Sequence, residues 1–285
     1  MSRASLRWLG ATFTLTSVGS AGKMTGMKPS KPVLVCLAAL VASALALPSS
    51  ADPFGRATMT PDLLFLPVHG FRIDFGYAAI TGVTSVRTGD KGDLRGPYLA
   101  ITYGVADTAQ LMIEGMATKT FTPDHGSGTS AVGDFTVWGK FLLGTAPGGG
   151  GYGVRFGAKM ANTPSGKDFG TNQNDFFAHV FAGVDAGSWK LSAYGGIGIL
   201  DRPLENAQDD LAMFGVMALR PLGRGTVRVE GEGFTQSHLY GDNWALHVVY
   251  ELPVTHTLGL QFAGQASTGD LYGSSELRAG VTARF

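Results

Sequence analysis

The chain has little cysteine, no excess of either charge and only one long apolar run. Its 285 residues include one cysteine, 22 basic and 22 acidic residues. That cysteine, Cys36, lies in the apolar run near the N-terminus, so the rest of the chain does not belong to the disulfide-rich class of secreted domains. Balanced charge without a basic patch gives no reason to expect nucleic-acid binding. The 6 histidines are scattered without metal-ligand spacing, and we therefore expect no metal site and no cofactor.

The N-terminal region has the pattern of a secretory signal peptide. Two lysines precede an apolar run over residues 33–47, and small residues follow over 49–51. Since the run is shorter than the roughly 20 residues of a spanning helix, a permanent membrane anchor is not indicated. We predict a signal peptide over residues 1–51. Because later methionines could begin it, residues 1–23 are either a mis-assigned start or a long leading region.

Removal of the predicted signal peptide changes the charge balance. It takes away five basic residues and no acidic ones, which leaves 17 basic (22 minus 5) against 22 acidic groups, a net charge of −5. The remaining chain has no apolar stretch long enough for a membrane helix. If this chain crosses a membrane, it must therefore do so as a closed β-barrel, in which every backbone group is paired.

Period-two alternation of apolar and polar residues recurs along the remaining chain and indicates half-buried strands. Twelve segments show it, each close to the roughly 9–11 residues of a tilted membrane strand: 70–81, 94–104, 109–121, 133–144, 151–161, 174–185, 189–200, 210–220, 225–235, 242–252, 257–267 and 274–285. We predict an all-β fold, a transmembrane antiparallel β-barrel over residues 70–285, with residues 52–69 as a periplasmic segment. Twelve strands fit the pattern best, and ten or fourteen remain open.

The connectors and the C-terminus favour an outer-membrane barrel. Short turns alternate with longer loops, and the last strand ends on an aromatic residue, as in bacterial outer-membrane proteins. Five aromatic residues near the short turns are predicted to form a membrane-interface belt: Tyr103, Tyr152, Trp189, Tyr250 and Phe285. The competing interpretation is a large soluble β-sandwich whose core face is the apolar one.

Charged residues recur on the polar face of the predicted strands, where a water-filled lumen would accept them and lipid would not. The candidate lumen and selectivity residues are Arg72, Asp74, Glu114, Lys140, Arg155, Lys159, Arg228, Glu230, Glu232, Glu251 and Arg278. Opposite charges across a lumen of this width either narrow a selective path or form ion pairs that close it. The sequence leaves both readings open.

Several Gly-rich stretches resemble a known family. They are Gly133-Asp134-Phe135 leading to Lys140, Gly157-Ala158-Lys159, and residues 163–171 before Asn174-Asp175-Phe176. These resemble the outer-membrane family labelled as the meta-pathway of phenol degradation, whose members are often described as transporters, and the similarity extends from about residue 70 to 285. The resemblance implies an outer-membrane barrel that moves hydrophobic or aromatic compounds.

The function predicted is passive or facilitated uptake of small molecules, with no enzymatic activity. A structural or surface-interaction barrel with a closed lumen is the alternative. An outer-membrane lipid hydrolase is a weaker one, since His125 and Ser127 have suitable spacing but lie in a glycine-broken loop, and Ser237-His238 with Asn243 are placed no better. Expected partners are outer-membrane lipids and lipopolysaccharide, the barrel assembly machinery through the strand that ends at Phe285, and a small solute.

Overall fold

Twelve chain segments pair in sequence order into one closed antiparallel barrel. The structure is a computed structural model and describes residues 4–8, 11–15, 61–85, 88–163, 174–201, 208–235, 242–268 and 275–285. Near the N-terminus, β1 (Ala4–Trp8) and β2 (Ala11–Leu15) pair as a separate hairpin within a unit that spans residues 1–42. The predicted signal peptide falls mostly outside the described residues.

The barrel lies in the second unit, residues 43–285. Its strands are β3 (Phe71–Thr84), β4 (Lys91–Ala106), β5 (Ala109–Met116), β8 (Phe135–Ala146), β9 (Gly150–Met160), β10 (Asp175–Ala186), β11 (Trp189–Asp201), β12 (Gln208–Leu222), β13 (Gly225–Thr235), β14 (Asn243–Pro253), β15 (Leu258–Thr268) and β16 (Ser275–Arg284). β3 pairs with both β4 and β16, which closes the sheet. The predicted all-β class and twelve-strand barrel are confirmed, and a two-sheet sandwich is excluded because one sheet closes on itself.

Two short strands extend the wall beyond β5 and β8. β6 (Thr118–Pro123) continues β5 along β4, and β7 (Thr129–Val132) pairs with β6. Between β5 and β6, the Ala117 N–H donates to the Pro97 carbonyl at 3.0 Å, and the chain gains a residue there. Such a bulge reverses which side chains point inward. The predicted strands 109–121 and 133–144 leave residues 122–132 as a connector, and the structure adds strand there at 122–123 and 129–132.

The two faces of the wall differ sharply in exposure. On β10, Val180 is 64% exposed whereas His179 is 2% exposed. On β12, Val216 is 62% exposed and Met217 is 3% exposed. Large apolar side chains thus stand on the outer face of the barrel, while polar, charged and some aromatic side chains fill the inside.

All five short turns lie at one end of the barrel, here called the turn end. They follow β4, β8, β10, β12 and β14, and the C-terminal residue Phe285 lies at the same end. Its backbone exchanges hydrogen bonds of 2.9 and 3.0 Å with Phe71. At the opposite end, here called the loop end, the described strands stop short of residues 86–87, 164–173, 202–207, 236–241 and 269–274, which lie outside the described residues.

Among the described residues, no helix is long and apolar enough to cross a membrane.

Aromatic side chains inside the barrel lie over glycines of the neighbouring strand. Trp138 is the cross-strand partner of Gly157, where an added Cβ would be 2.4 Å from the indole ring. Tyr98 lies over the paired Gly76 and Gly280, where an added Cβ would be 2.6 and 2.5 Å from its ring and hydroxyl. Because glycine has no side chain, large rings fit flat against the wall and fill the lumen.

Two apolar clusters occupy much of the lumen. The larger comprises Trp138, Phe177, Phe181, Tyr194, Leu200, Leu211, Met213 and Phe234. The second comprises Ala78, Ile80, Val83, Leu94, Tyr98, Met116 and Phe121. Most of these residues lie in the half of their strands nearer the loop end, so that half of the interior is a packed core.

Candidate functional site

The half of the lumen nearer the turn end contains a cavity of about 500 Å³. Its wall includes residues close to the strand ends, such as Arg72 at the start of β3 and Arg284 at the end of β16. It reaches inward to Trp138 at the edge of the larger apolar cluster. The cavity is therefore a recess between the turn end and the packed half of the lumen.

Residues 61–70, here called the lumen segment, run from the rim of the turn end into this recess, which residues 61, 62 and 64–66 help to line. The backbone docks on β4, where the His69 N–H donates to the Gly104 carbonyl at 2.8 Å and the Gly104 N–H donates to the Gly70 carbonyl at 2.9 Å. Leu63 and Phe65 pack against the larger apolar cluster. Residues 52–69 are predicted to form a periplasmic segment; of these, residues 61–66 reach into the barrel and residues 67–69 are exposed at its rim, and the periplasmic location stays a prediction. Residues 52–60 lie outside the described residues.

A pair of glycines makes room for the lumen segment. Gly151 of β9 and Gly183 of β10 are cross-strand partners. An added Cβ on Gly183 would be 2.9 Å from Leu63 Cγ, and one on Gly151 would be 3.5 Å from Leu63 Cδ2. Leu63 therefore occupies space that side chains on these two strands would otherwise fill.

Asp62 is the charged anchor of the lumen segment. Its Oδ1 accepts a hydrogen bond from Lys140 Nζ at 3.1 Å, and its Oδ2 accepts one from Arg228 Nη2 at 2.8 Å. Lys140 Nζ also donates to the carbonyl of Leu64 at 2.8 Å and lies 4.3 Å from the centre of the Phe65 ring. Burial opposes ionisation of Asp62, but Lys140 and Arg228 outweigh it and lower the pKa of its carboxyl to about 2.

A second charged cluster lines the wall near the turn end. Arg72 donates to Asp74 at 2.8 Å and to Glu251 Oε2 at 3.0 Å, and Arg284 also pairs with Glu251. These four charges are balanced. Since Arg72 and Arg284 are cross-strand partners at the barrel seam, the carboxylates also relieve the repulsion between two facing guanidinium groups.

A third group lies at the inner end of the cavity. The indole N–H of Trp138 donates to Glu114 Oε1 at 2.8 Å, and the Arg155 guanidinium lies 3.7 Å from the indole ring centre. Arg155 Nη2 is 3.9 Å from the same Glu114 oxygen. The arrangement holds an aromatic ring and a cation at the point where the cavity meets the packed core.

Ion pairs continue into the loop half of the lumen. Lys159 pairs with Asp175 and Arg278 pairs with Glu276. Beside these ion pairs, His247 Nε2 and Glu232 Oε1 form a hydrogen bond of 2.9 Å. Glu230 on the same strand as Glu232 is also fully buried. Buried pairs of this kind fix side-chain positions more than they add stability.

The structure brings the candidate lumen residues to two places, and their predicted selectivity role stays a prediction. Seven line the cavity: Arg72, Asp74, Glu114, Lys140, Arg155, Arg228 and Glu251. Four lie outside that lining, buried in the wall: Lys159, Glu230, Glu232 and Arg278. Sequence reasoning missed Asp62, Lys119, Asp175 and His179. Asp175 and His179 belong to a strand with aromatic residues on both faces, so the alternation that predicts the strand does not show which face points inward.

The predicted interface aromatics all lie near the turn end. The Tyr103 hydroxyl forms a hydrogen bond of 2.7 Å with His69 Nδ1. The Tyr103 ring also packs on Phe71, with 4.7 Å between the ring centres. Trp189 lies 4.8 Å from the Arg220 guanidinium, and Tyr152 is 54% exposed on the outer wall. Tyr250 and Phe285 complete the set. Their contact with a membrane interface stays a prediction.

Of the weaker enzymatic candidates, the described pair His125 and Ser127 lies in a loop without rigid support. His125 and Ser127 are both exposed in the loop between β6 and β7. Ser237 and His238 lie outside the described residues. Within the described ranges, no group of three or more His, Cys, Asp or Glu side chains could hold a metal ion.

Comparison with known proteins shows similarity of fold. The chain is similar to an outer-membrane channel from Pseudomonas putida F1, with a TM-score of 0.58 and 12% identity over 80% of this chain and 100% of that chain. The translocator domain of the autotransporter NalP from Neisseria meningitidis gives a TM-score of 0.47 and 11% identity over 89% of this chain and 96% of that chain. Outer membrane phospholipase A from Escherichia coli gives 0.44 and 8%, over 77% of this chain and 94% of that chain.

The first of these similarities supports the barrel fold, and the other two, with TM-scores below 0.5, add nothing to it. No family model and no curated protein matches the sequence. The resemblance to the family labelled as the meta-pathway of phenol degradation therefore stays a prediction.

Proposed function

We propose that this chain is an outer-membrane channel for passive or facilitated uptake of small molecules. The observation that carries the proposal is the combination of an apolar outer wall with a charged interior cavity of about 500 Å³. An apolar outer face suits lipid, and a polar interior suits a solute path. The turn end would face the periplasm, with the longer loops outside the cell.

Hydrophobic or aromatic solutes are the class we propose for this channel. Apolar side chains form part of the cavity lining, among them Met112, Leu219 and Val249, and Trp138 lies at its inner end. The charged groups lie beside this apolar surface, so a solute with an apolar body and a polar group would contact both. The family resemblance of the Gly-rich stretches points to the same class.

The closed-lumen alternative has one specific observation in its favour. The lumen segment lies in the cavity, and two apolar clusters pack the interior toward the loop end. A barrel filled in this way could serve a structural or surface role, with its loops as the contact surface. A channel requires instead that the lumen segment leaves its place at least part of the time.

Conductance in planar bilayers separates these functions. Protein purified from outer membranes of an expressing host would be reconstituted, and single-channel current measured with and without benzoate and, as a control, with sucrose. A channel of the proposed kind gives current steps that benzoate reduces and sucrose does not. A correctly folded barrel that stays silent at all voltages would favour the structural role and refute the channel.

A further inference from the structure

The charge of the cavity depends on which part of the chain supplies each group. Its lining has five basic residues: Arg72, Lys140, Arg155, Arg228 and Arg284. Its acidic residues are Asp62, Asp74, Glu114 and Glu251. Asp62 comes from the lumen segment and the rest from the barrel wall. The wall alone therefore presents five cations against three anions, an excess of two positive charges.

The wall carboxylates are already held by other cations. Asp74 and Glu251 pair with the arginines at the seam, and Glu114 lies 3.9 Å from Arg155 and accepts a hydrogen bond from Trp138 at 2.8 Å. Lys140 and Arg228 both donate to Asp62. Their two positive charges are thus directed at a carboxylate that does not belong to the wall.

Asp62 is bound as a solute carboxylate would be bound. Each of its oxygens accepts from a different cation, at 3.1 Å from Lys140 and 2.8 Å from Arg228. Lys140 is on β8 and Arg228 on β13, and four strands separate them in the barrel order. The carboxylate therefore bridges the lumen from wall to wall. Two charge-assisted hydrogen bonds to one carboxylate give both strength and orientation.

We propose that Lys140 and Arg228 form a binding site for the carboxylate of a small monoanionic solute, and that Asp62 occupies this site as an internal ligand until the solute displaces it. The inference rests on the proposed channel function and names its substrate class. A monoanion replaces the single charge that Asp62 removes on leaving. The apolar part of the solute would lie against Met112, Leu219 and Val249, which share the cavity.

The charges and lining favour a carboxylate over a neutral solute. A neutral solute that displaced the lumen segment would not replace the carboxylate that Lys140 and Arg228 now bind, and removal of one member of a buried charge pair is costly. An apolar body with one carboxylate satisfies both the cations and the apolar wall. Small aromatic monocarboxylates, with benzoate as the simplest probe, meet this description.

Benzoate binding to the purified protein in detergent, measured by titration calorimetry, tests the proposal. Asp62→Asn removes the charge of the internal competitor and keeps the side-chain size. Because apparent affinity is reduced by the fraction of sites already occupied, we expect this variant to bind benzoate about tenfold or more tightly than the wild type. Benzamide, the neutral analogue, should bind neither protein measurably.

Arg228→Gln in the Asp62→Asn background should lose this gain, whereas Arg95→Gln in the same background should keep it. Arg95 is the matched control because it pairs with Asp93 at the loop end, away from the cavity. Heat-modifiable gel mobility would establish that each variant is folded. If Arg228→Gln does not fold, the comparison of Asp62→Asn with the wild type decides the matter by itself.

Equal benzoate affinity of the wild type and Asp62→Asn, or equal binding of benzoate and benzamide, would overturn the proposal. The conductance measurement separates this failure from failure of the channel. Current steps without benzoate binding would refute the carboxylate site and leave the channel standing. Benzoate binding to a barrel that never conducts would refute the channel and leave a ligand site.

Discussion

Asp62 of the lumen segment accepts a hydrogen bond of 2.8 Å from Arg228 of β13, a residue 166 positions later in the chain. With the bond from Lys140, it ties the segment that precedes the barrel to two separated strands of the wall. Whether the lumen segment occupies the cavity therefore depends on the carboxylate of Asp62. Changes at either residue should therefore act on the lumen segment before they act on the barrel.

Acid should loosen the lumen segment through Asp62. Its carboxyl has a pKa of about 2 when docked, against an ordinary value of 3.8. The folded pKa is thus depressed, so the stabilisation is fully present above about pH 4 and is lost as the pH falls toward 2. This lowering of the Asp62 pKa corresponds to roughly 2 kcal/mol of stabilisation of the docked lumen segment.

Hydrogen exchange of residues 61–70 measures this effect, since docking protects their amides. After correction for the intrinsic pH dependence of exchange, protection in the wild type should fall between pH 4 and 2. The Asp62→Asn protein should show weak protection at every pH in that range. Protection that falls equally in both proteins would mean that other carboxylates control docking.

Gly183 should be needed for the packing of Leu63. The Gly183→Ala methyl would be placed 2.9 Å from Leu63 Cγ and 2.8 Å from the Leu191 carbonyl, so the neighbours must shift. Overpacking of this kind costs about 1–3 kcal/mol. Denaturant unfolding in lipid vesicles should show the loss, and Leu63→Ala should recover part of it in the double variant.

Gly195→Ala is the matched control for Gly183→Ala. An added Cβ at Gly195 has no neighbour within 4 Å, and its effect should stay within about 0.5 kcal/mol. If Leu63→Ala and Gly183→Ala were strictly additive, the two side chains would not compete for one space.

The outer wall should behave as a lipid-facing surface. Val216 is 62% exposed near the middle of β12, and Val216→Arg should cost roughly 2–4 kcal/mol if that position lies at the bilayer midplane. Val184→Arg, near the turn end of β10, should cost only about 0–1 kcal/mol. Refolding into vesicles with denaturant titration gives both values, and equal small effects would contradict membrane insertion.

Phe285 should act in assembly through its ring. The side chain is 74% exposed, and its backbone makes the two hydrogen bonds with Phe71. Phe285→Ala keeps the backbone hydrogen bonds and removes the ring. We expect less of this variant in outer membranes, because the assembly machinery would no longer recognise the terminal ring. Phe285→Tyr should retain normal amounts. Unchanged amounts for Phe285→Ala would contradict the predicted role with the assembly machinery.

The strands could be predicted from sequence because one face meets an apolar surrounding and the other a charged interior. In β16, Leu277 is 63% exposed and Arg278 is 5% exposed. The alternation of apolar and polar residues in the sequence of this strand therefore separates its outward from its inward side chains. Where aromatic residues fill the lumen the contrast disappears, as at Phe176 and Phe177 on β10. The bounds of β10 could still be predicted from the sequence, but its inward residues Asp175 and His179 could not be identified.

The lumen segment and the bulge could not be predicted for different reasons. Residues 61–69 contain two prolines and no alternation, and their ion-pair partners lie 78 and 166 positions away. The bulge at Ala117 inserts one residue, which turns Lys119 inward without any change in local composition. Both features depend on contacts made only after the barrel closes.

The most direct test of the account compares the single-channel open probability of the wild type and Asp62→Asn in planar bilayers, with Arg95→Gln as the control. Loss of the Asp62 charge weakens docking of the lumen segment, so we predict a clearly higher open probability for Asp62→Asn and no change for Arg95→Gln. Identical open probabilities in all three proteins, or silence in all three with folded barrels, would contradict a channel occupied by its own N-terminal segment.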